Sequence, residues 1–208
     1  MMEFKHKAAL FDLDGVIFDT EPGYTRFWNQ MLARYYPDPE ARTASIKGMT
    51  LFQMLDLLFS GALERERPYV VQSLNEFEQT MSIPYVPGFP EFVTALRAQS
   101  VKTAVVTSSN QPKMDCVYRQ HPEFKGFFDA ILTSEDFTES KPSPQCYLRS
   151  AARLGVDIQD CVVFEDSING LKSGMAAGMY VVAVTTAHPA SELSQLSHLQ
   201  IPDFLPFC

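Results

Sequence analysis

No apolar run in this sequence approaches the length that spans a bilayer, and the opening residues MMEFKHK lead into no apolar signal core. A soluble, cytoplasmic protein without a membrane partner is therefore expected. Lysine and arginine never gather in a block of five or more, and the formal net charge is −8, so the electrostatic footprint of a nucleic-acid binder is missing. The four cysteines, Cys116, Cys146, Cys161 and Cys208, include no CxxC pair. They read as reduced thiols, and a zinc site is not expected. There is no internal repeat and no low-complexity segment. These exclusions leave chemistry on a small molecule, by a chain expected to act as a monomer.

With 208 residues, 46% of them hydrophobic and 20% charged, the chain can build a core of about 150 residues and still carry an insertion. Short apolar runs recur: KAALFD (7–12), VKTAVVT (101–107), FDAILT (128–133), CVVFED (161–166) and YVVAVT (180–185). Their continuous apolarity fits strands buried on both faces, hence a parallel sheet. Helical patterns lie between the later runs. Ser143-Pro144 reads as an N-cap and first helical residue, with Gly155 at the stop. Ser167 reads as the cap of a helix whose Ile168, Leu171 and Met175 share a face, ending at Gly178. The alternation predicts an α/β fold, a doubly wound parallel-sheet, Rossmann-like core.

From Thr20 to Pro87 no strand-like run occurs, only helical patterns such as Phe27, Met31, Tyr35 and Leu51, Met54, Leu55, Leu58. Glu21-Pro22-Gly23 and Pro84 to Gly88 punctuate the two ends and read as hinges. The expected organisation is a core of residues 1–19 and 88–208 with an all-helical cap domain, residues 20–87, inserted after the first strand.

In a parallel α/β sheet the ligand lies beyond the carboxyl ends of the strands. Those ends carry Asp12 and Asp14, then Thr107, Ser108 and Ser109, then Glu165 and Asp166, with Lys141 in the loop after the third run. Carboxylates without a histidine or cysteine make a hard oxygen site, which suits Mg²⁺ beside a substrate phosphate. The Thr107 hydroxyl, the Ser108 and Ser109 amides and the Lys141 ammonium can neutralise the remaining phosphate charge. Phosphoryl transfer is catalysed mainly by positioning and charge neutralisation, so the inventory is nearly sufficient. Of two aspartates one residue apart, one can take the phosphoryl group and the other can carry the proton. The sequence leaves open whether Asp12 and Asp14 share a face or are splayed by a turn at Gly15.

FDLDGVIFDTE, VVTSSN, SKPSP and FEDSINGLKSGMAAGM resemble, in order and spacing, the four motifs of the haloacid dehalogenase superfamily. The likeness covers essentially the whole chain and lies with the helical-cap subgroup of β-phosphoglucomutase and small sugar-phosphate phosphatases. It implies a Mg²⁺-dependent phosphomonoesterase acting on a small phosphorylated metabolite, with Asp12 as nucleophile, Asp14 as general acid/base, Thr107 as phosphate ligand and Lys141 as the lysine of the third motif. It further implies Mg²⁺ on the Asp12 carboxylate, the Asp14 backbone carbonyl and Asp166, with Glu165 beside the metal. Dehalogenases proper lack the second aspartate, so Asp14 argues for phosphate esters. The histidine and arginine by which β-phosphoglucomutases bind their sugar phosphate are replaced here by Tyr24 and Leu51, which counts against a mutase. Glu21, Tyr24, Lys47, Gly48 and Asn110 are expected on the substrate side, with Lys47 near a leaving group.

Competing readings fare worse. An EF-hand loop fails because Val16 and Ile17 occupy positions that need a ligand and a glycine. A phosphoacceptor signalling domain would carry its acceptor on a middle strand and would lack the inserted segment. A pyrophosphatase or a non-catalytic binding protein remains an alternative. His121, His188 and His198 show no ligand spacing and are expected at the surface or at caps. Trp28 and the phenylalanines are expected in packing, Cys161 as an inert small hydrophobe, and IPDFLPFC as an edge strand or docking tail.

Overall fold

The computed structural model describes residues 4–47 and 49–207. Gly48 of the cap loop and the Cys208 thiol lie outside the described residues. Six strands, β1 (Ala8–Phe11), β2 (Lys102–Val106), β3 (Ala130–Leu132), β4 (Cys161–Glu165), β5 (Tyr180–Val184) and β6 (Leu199–Ile201), form one sheet in the order β3-β2-β1-β4-β5-β6. Every neighbouring pair is parallel. Alternate residues bury to opposite sides. Ala9, Phe11, Val105, Val162 and Phe164 meet the side of α5 (Phe89–Ala98) and α6 (Gln111–Gln120). Ala8, Leu10, Ala104, Val106 and Val163 meet the side of α7 (Gln145–Leu154) and α8 (Ile168–Ala176). Burial on both faces is the reason the strands read as unbroken apolar runs. Among the described residues no helix is long and apolar enough to cross a membrane.

Between β1 and α5 come α1 (Glu21–Leu32), α2 (Pro39–Ser45), α3 (Leu51–Leu58) and α4 (Arg67–Thr80), which enclose their own cluster of Trp28, Leu32, Ile46, Leu58, Phe59 and Val70. Thr50 caps α3 with a reciprocal Thr50–Gln53 pair of hydrogen bonds. The entry differs from its expected form. Glu21-Pro22-Gly23 is the first turn of α1 rather than a hinge, because proline there gives up only an N–H the helix would leave unpaired. The two connecting strands of chain run side by side: Asp19 N donates to Pro84 O (2.8 Å), Val86 N donates to Ile17 O (2.9 Å), and Phe18 stacks on Tyr85.

Two further expectations shift locally. Helix α7 begins at Gln145, with Pro144 in the cap position, while the Ser143 hydroxyl still accepts from Gln145 N (3.3 Å). Gly155 ends it in the left-handed conformation (φ 67°). Ser167 does cap α8, accepting from Gly170 N (3.0 Å). Met175, however, is exposed, and α8 meets the sheet through Gly170, Leu171 and Gly174. A Cβ on Gly174 would lie 3.0 Å from Val181 and 3.2 Å from Val163, so the helix approaches too closely for an apolar stripe of long side chains.

Beyond β5, α9 (Ala190–Leu193) leads into the edge strand β6. Of the tail IPDFLPFC only Ile201 belongs to that strand, and the tail docks instead through Phe204, fully buried against Phe89, Phe92 and Phe164. His121 stands at the C-cap of α6, as expected, whereas His188 is more enclosed than a surface residue. His121 stacks on Phe18 and lies tilted against Tyr85, and His188 lies beside Glu192 with only 11% of its side chain exposed. Cys116, Cys146 and Cys161 are free and buried.

Candidate active site

The strand order reverses between β1 and β4, which makes their carboxyl ends the topological switch point. Phe11 pairs with Phe164, and Asp12 N donates to Phe164 O (3.0 Å), so the ladder carries Asp12 alongside Glu165. Lys141 reaches in from the loop before α7. Its ammonium donates to Asp12 Oδ1 (2.6 Å), Glu165 Oε1 (2.5 Å) and Val106 O (3.0 Å), using all three protons. Glu165, with no exposed surface, also accepts from Tyr147 Oη (2.8 Å), Asp166 N (3.1 Å) and Ser167 Oγ (3.1 Å).

Carboxylate oxygens of Asp12, Glu165 and Asp166 lie within 4.8 Å of one another. Burial pushes the Asp12 carboxyl up to about 7, against the pull of Lys141, and Glu165 adds to the rise. Burial, Glu165 and Asp12 also hold Asp166 well above the ordinary carboxylate range. Burial alone would lower the Lys141 ammonium, but Asp12 and Glu165 override it and raise it. Three acids against one lysine leave an excess of negative charge in a nearly dry corner. That donor set fits a hard divalent cation such as Mg²⁺, which would let the carboxyls ionise. Asp12 and Asp166 would hold it.

Gly15 is required where it stands. Its φ is 78°, and a Cβ would fall 1.8 Å from Asp166 Oδ2, so the aspartate lies directly over the backbone. The Thr186 hydroxyl bridges the same place, donating to Gly15 O (2.6 Å) with Asp166 Oδ2 at 3.4 Å. Gly170 serves Glu165 in the same manner, since a Cβ there would lie 1.9 Å from Oε1. Glu165 is pinned by Lys141, Tyr147 and Ser167, so it cannot yield cheaply. Gly170→Ala is therefore expected to cost about 1–3 kcal/mol. Thermal unfolding should show this as a melting temperature roughly 3–10 °C lower. A variant that melts within 1 °C of the parent would contradict the packing account.

Asp14 is splayed from Asp12 by the turn that closes when Gly15 N donates to Phe18 O (2.7 Å). Its Oδ1 accepts from Thr20 Oγ1 (2.8 Å), and its Oδ2 accepts from Ser109 Oγ (3.0 Å). Its carboxylate is not part of the three-acid group. The loop after β2 folds on itself: the buried Thr107 hydroxyl accepts from Ser109 N (3.0 Å), and Ser108 is exposed. The Ser109 amide, expected to face a phosphate, is thus committed to Thr107 in this structure. Asn110 is exposed and caps α6 by accepting from Lys113 N (3.1 Å).

A cavity of about 480 Å³ opens between these loops and the helices of the insertion, a size suited to a small metabolite. Asp12, Asp14, Thr107, Ser108, Ser109, Asn110 and Lys141 face it from below. Glu21, Tyr24, Lys47, Leu51, Trp28 and Glu78 face it from above. Lys47 does not point freely at a leaving group: its ammonium donates to Ala187 O (3.1 Å) and lies 3.5 Å from Glu21 Oε2. Burial raises the Glu21 carboxyl, and Lys47 opposes that rise. Tyr24 Oη donates to Glu78 Oε1 (2.7 Å).

Tyr147, Thr186, Thr20, Lys113 and Glu78 have no place in the sequence reading. Only Lys113 left a signal there, a charged residue on the same face of α6 as the buried Met114 and Val117.

A family model for haloacid dehalogenase-like hydrolases matches residues 6–178. The chain belongs to that family. Hexitol phosphatase A of Escherichia coli (strain K12) is 31% identical over 194 residues, 91% of this chain and 88% of that protein. A fructose-1-phosphate phosphatase of the same organism is 27% identical over 190 residues, 86% of this chain and 97% of that protein. Among solved structures, a hydrolase of the family from Entamoeba histolytica HM-1:IMSS superposes with a TM-score of 0.81 at 24% identity, covering 95% of this chain and 93% of that one; it shows the shared fold. In this hydrolase the matched segment spans β1 through α8, so every strand end that lines the site except that of β5 falls within it.

Proposed function

We propose that this hydrolase of phosphate esters is a Mg²⁺-dependent phosphomonoesterase that acts on a sugar phosphate through a phospho-Asp12 intermediate. The observation that carries the proposal is the position of Asp12, whose Oδ1 is fixed by Lys141 at 2.6 Å while its carboxylate borders both the three-acid group and the 480 Å³ cavity. In the first half-reaction an Asp12 oxygen attacks phosphorus, the bond to the leaving oxygen breaks, and Asp14 donates a proton to that oxygen. In the second half-reaction Asp14 takes a proton from water, the water oxygen attacks phosphorus, and the bond to Asp12 breaks. Lys141 and the Thr107 loop offset the charge on the phosphoryl oxygens in both halves. Mg²⁺ bound at Asp12 and Asp166 would supply further charge neutralisation and orient the phosphate.

Residues 20–87 act as a cap that shapes the leaving-group side and excludes water while the first half-reaction proceeds. Tyr24 and Leu51 on the cavity wall favour phosphatase over mutase chemistry, because neither provides a cation for a phosphosugar. The hexitol and fructose-1-phosphate phosphatases among the relatives direct the substrate choice to sugar and polyol monophosphates.

A phosphate-release screen over sugar phosphates, polyol phosphates, nucleotides, pyrophosphate and phosphonates tests the reading. The expected result is highest kcat/KM on a sugar or polyol monophosphate, loss of turnover with EDTA, and recovery on adding Mg²⁺. Preference for pyrophosphate, or full activity in EDTA, would overturn it. Isomerisation of a sugar phosphate faster than phosphate release would replace it with the mutase.

A further inference from the structure

Lys113 is among the largest fully enclosed side chains of the protein, only 2% exposed, although it carries a charge. Lysine is almost never buried without partners, since desolvating an ammonium costs several kcal/mol. Its partners come from three parts of the chain. The ammonium donates to Tyr24 Oη (2.7 Å) on α1 and to Met81 Sδ (3.4 Å) just after α4, and it lies 3.4 Å from Asp14 Oδ1. Tyr24 passes the chain on, donating to Glu78 Oε1 (2.7 Å) on α4. The nitrogen also stands 4.8 Å from the centre of the Tyr24 ring. One core helix thus connects the proposed proton carrier to two helices of the insertion through a single ammonium.

We propose that Lys113 is a positioning residue for leaving-group protonation, holding the Asp14 carboxylate in place and tying it to α1 and α4 through Tyr24 and Glu78. The role follows from the order of contact strengths. The shortest bond of Lys113 goes to Tyr24, whereas its contact with Asp14 is long. Asp14 accepts from the Thr20 hydroxyl on Oδ1 and from the Ser109 hydroxyl on Oδ2, and Lys113 adds a third, longer contact at 3.4 Å, so the direction of the carboxylate is fixed from three sides. The shared anchor means that the helices which shape the leaving-group pocket also set where Asp14 stands.

This inference rests on the phosphatase reading, so its test separates the two. The sugar or polyol phosphate with the highest wild-type kcat/KM in the screen is compared with p-nitrophenyl phosphate, whose anion leaves without a proton. The parameter kcat/KM reports the steps through release of the leaving group and so omits the later attack by water. Lys113→Met keeps the length and apolar stem of the side chain but removes one partner of a buried ionic contact, so its melting temperature is measured beside its kinetics. The expected result is a loss of about 10- to 100-fold on the sugar phosphate and less than about threefold on p-nitrophenyl phosphate. Tyr24→Phe removes the hydroxyl that Lys113 binds. It should shift the same ratio in the same direction by about three- to tenfold, and it decides the matter if Lys113→Met folds poorly. Equal losses on both substrates, or no loss on either, would overturn the positioning role. A wild-type enzyme that hydrolyses neither substrate would instead overturn the phosphatase reading itself.

Discussion

Asp12→Asn is expected to lower turnover of a sugar phosphate and of p-nitrophenyl phosphate alike, on the order of 10⁴-fold or more. The amide is nearly isosteric with the carboxylate but is a poor nucleophile, and it cannot take the phosphoryl group. The loss should be equal for both substrates, because nucleophilic attack precedes any question of how the leaving group departs. Asp12 is only partly buried at the end of β1, and Lys141 keeps Glu165 as its anionic partner, so the variant should keep its fold. Wild-type protein quenched during turnover should carry phosphate on the peptide containing Asp12, and Asp12→Asn should carry none. Substantial turnover by a well-folded, contaminant-free Asp12→Asn would overturn the covalent route.

Lys141→Met is expected to affect stability as well as activity. Only 8% of the Lys141 side chain is exposed, and it is the cation that touches both Asp12 and Glu165. Removing one partner of a buried ionic group leaves charge uncompensated, at about 3–5 kcal/mol. For a chain of this length that corresponds to a melting temperature lower by roughly 6–20 °C in metal-free protein. The pH dependence has a definite sign. The Asp12 carboxyl is raised by burial, to about 7 even with Lys141 present, and Asp166 is raised by burial and its acidic neighbours. The folded state therefore binds more protons than the unfolded chain, and stability falls as pH climbs from the ordinary carboxylate range towards the folded value. Without Lys141 the fall is steeper, so the deficit should be larger at pH 8 than at pH 5. A deficit independent of pH would show that lost packing, rather than uncompensated charge, dominates.

Both expectations concern residues that the sequence already marks, and the reason is specific. Strands buried on two faces must be written as unbroken apolar runs, so the first polar residue after each run identifies a strand end. Asp12, Thr107 and Asp166 are visible for that reason, as is Glu165 as the last residue of its own strand. Parallel order and right-handed crossovers then place those ends on one edge of the sheet. The helical insertion is legible by the same logic in reverse, as a long interval with no such run.

What stayed hidden depends on three-dimensional proximity or on contacts too close for a pattern to record. Apolar periodicity places Met175 on a buried face, because it cannot register that α8 meets the sheet through glycines. Lys47 has a free lysine's sequence context, yet its ammonium is spent on Ala187 O, 140 residues away. Tyr147 and Thr186 hold Glu165 and Asp166 by hydroxyls on residues whose spacing fits ordinary helix and loop positions.

The sequence by itself determined the parallel α/β core, the inserted helices and the set of carboxylates, hydroxyls and lysine that meet at one edge, because each is encoded by local apolarity and by the order of strand ends. Only the tertiary structure decided how that set divides. It gathers Asp12, Glu165 and Asp166 within 4.8 Å, turns Asp14 away towards Thr20 and Ser109, and brings Lys113 from a distant helix to stand between Asp14 and Tyr24. A turn's direction and a meeting of residues about ninety positions apart are set by how the layers pack, and no stretch of sequence short enough to read as a motif contains them.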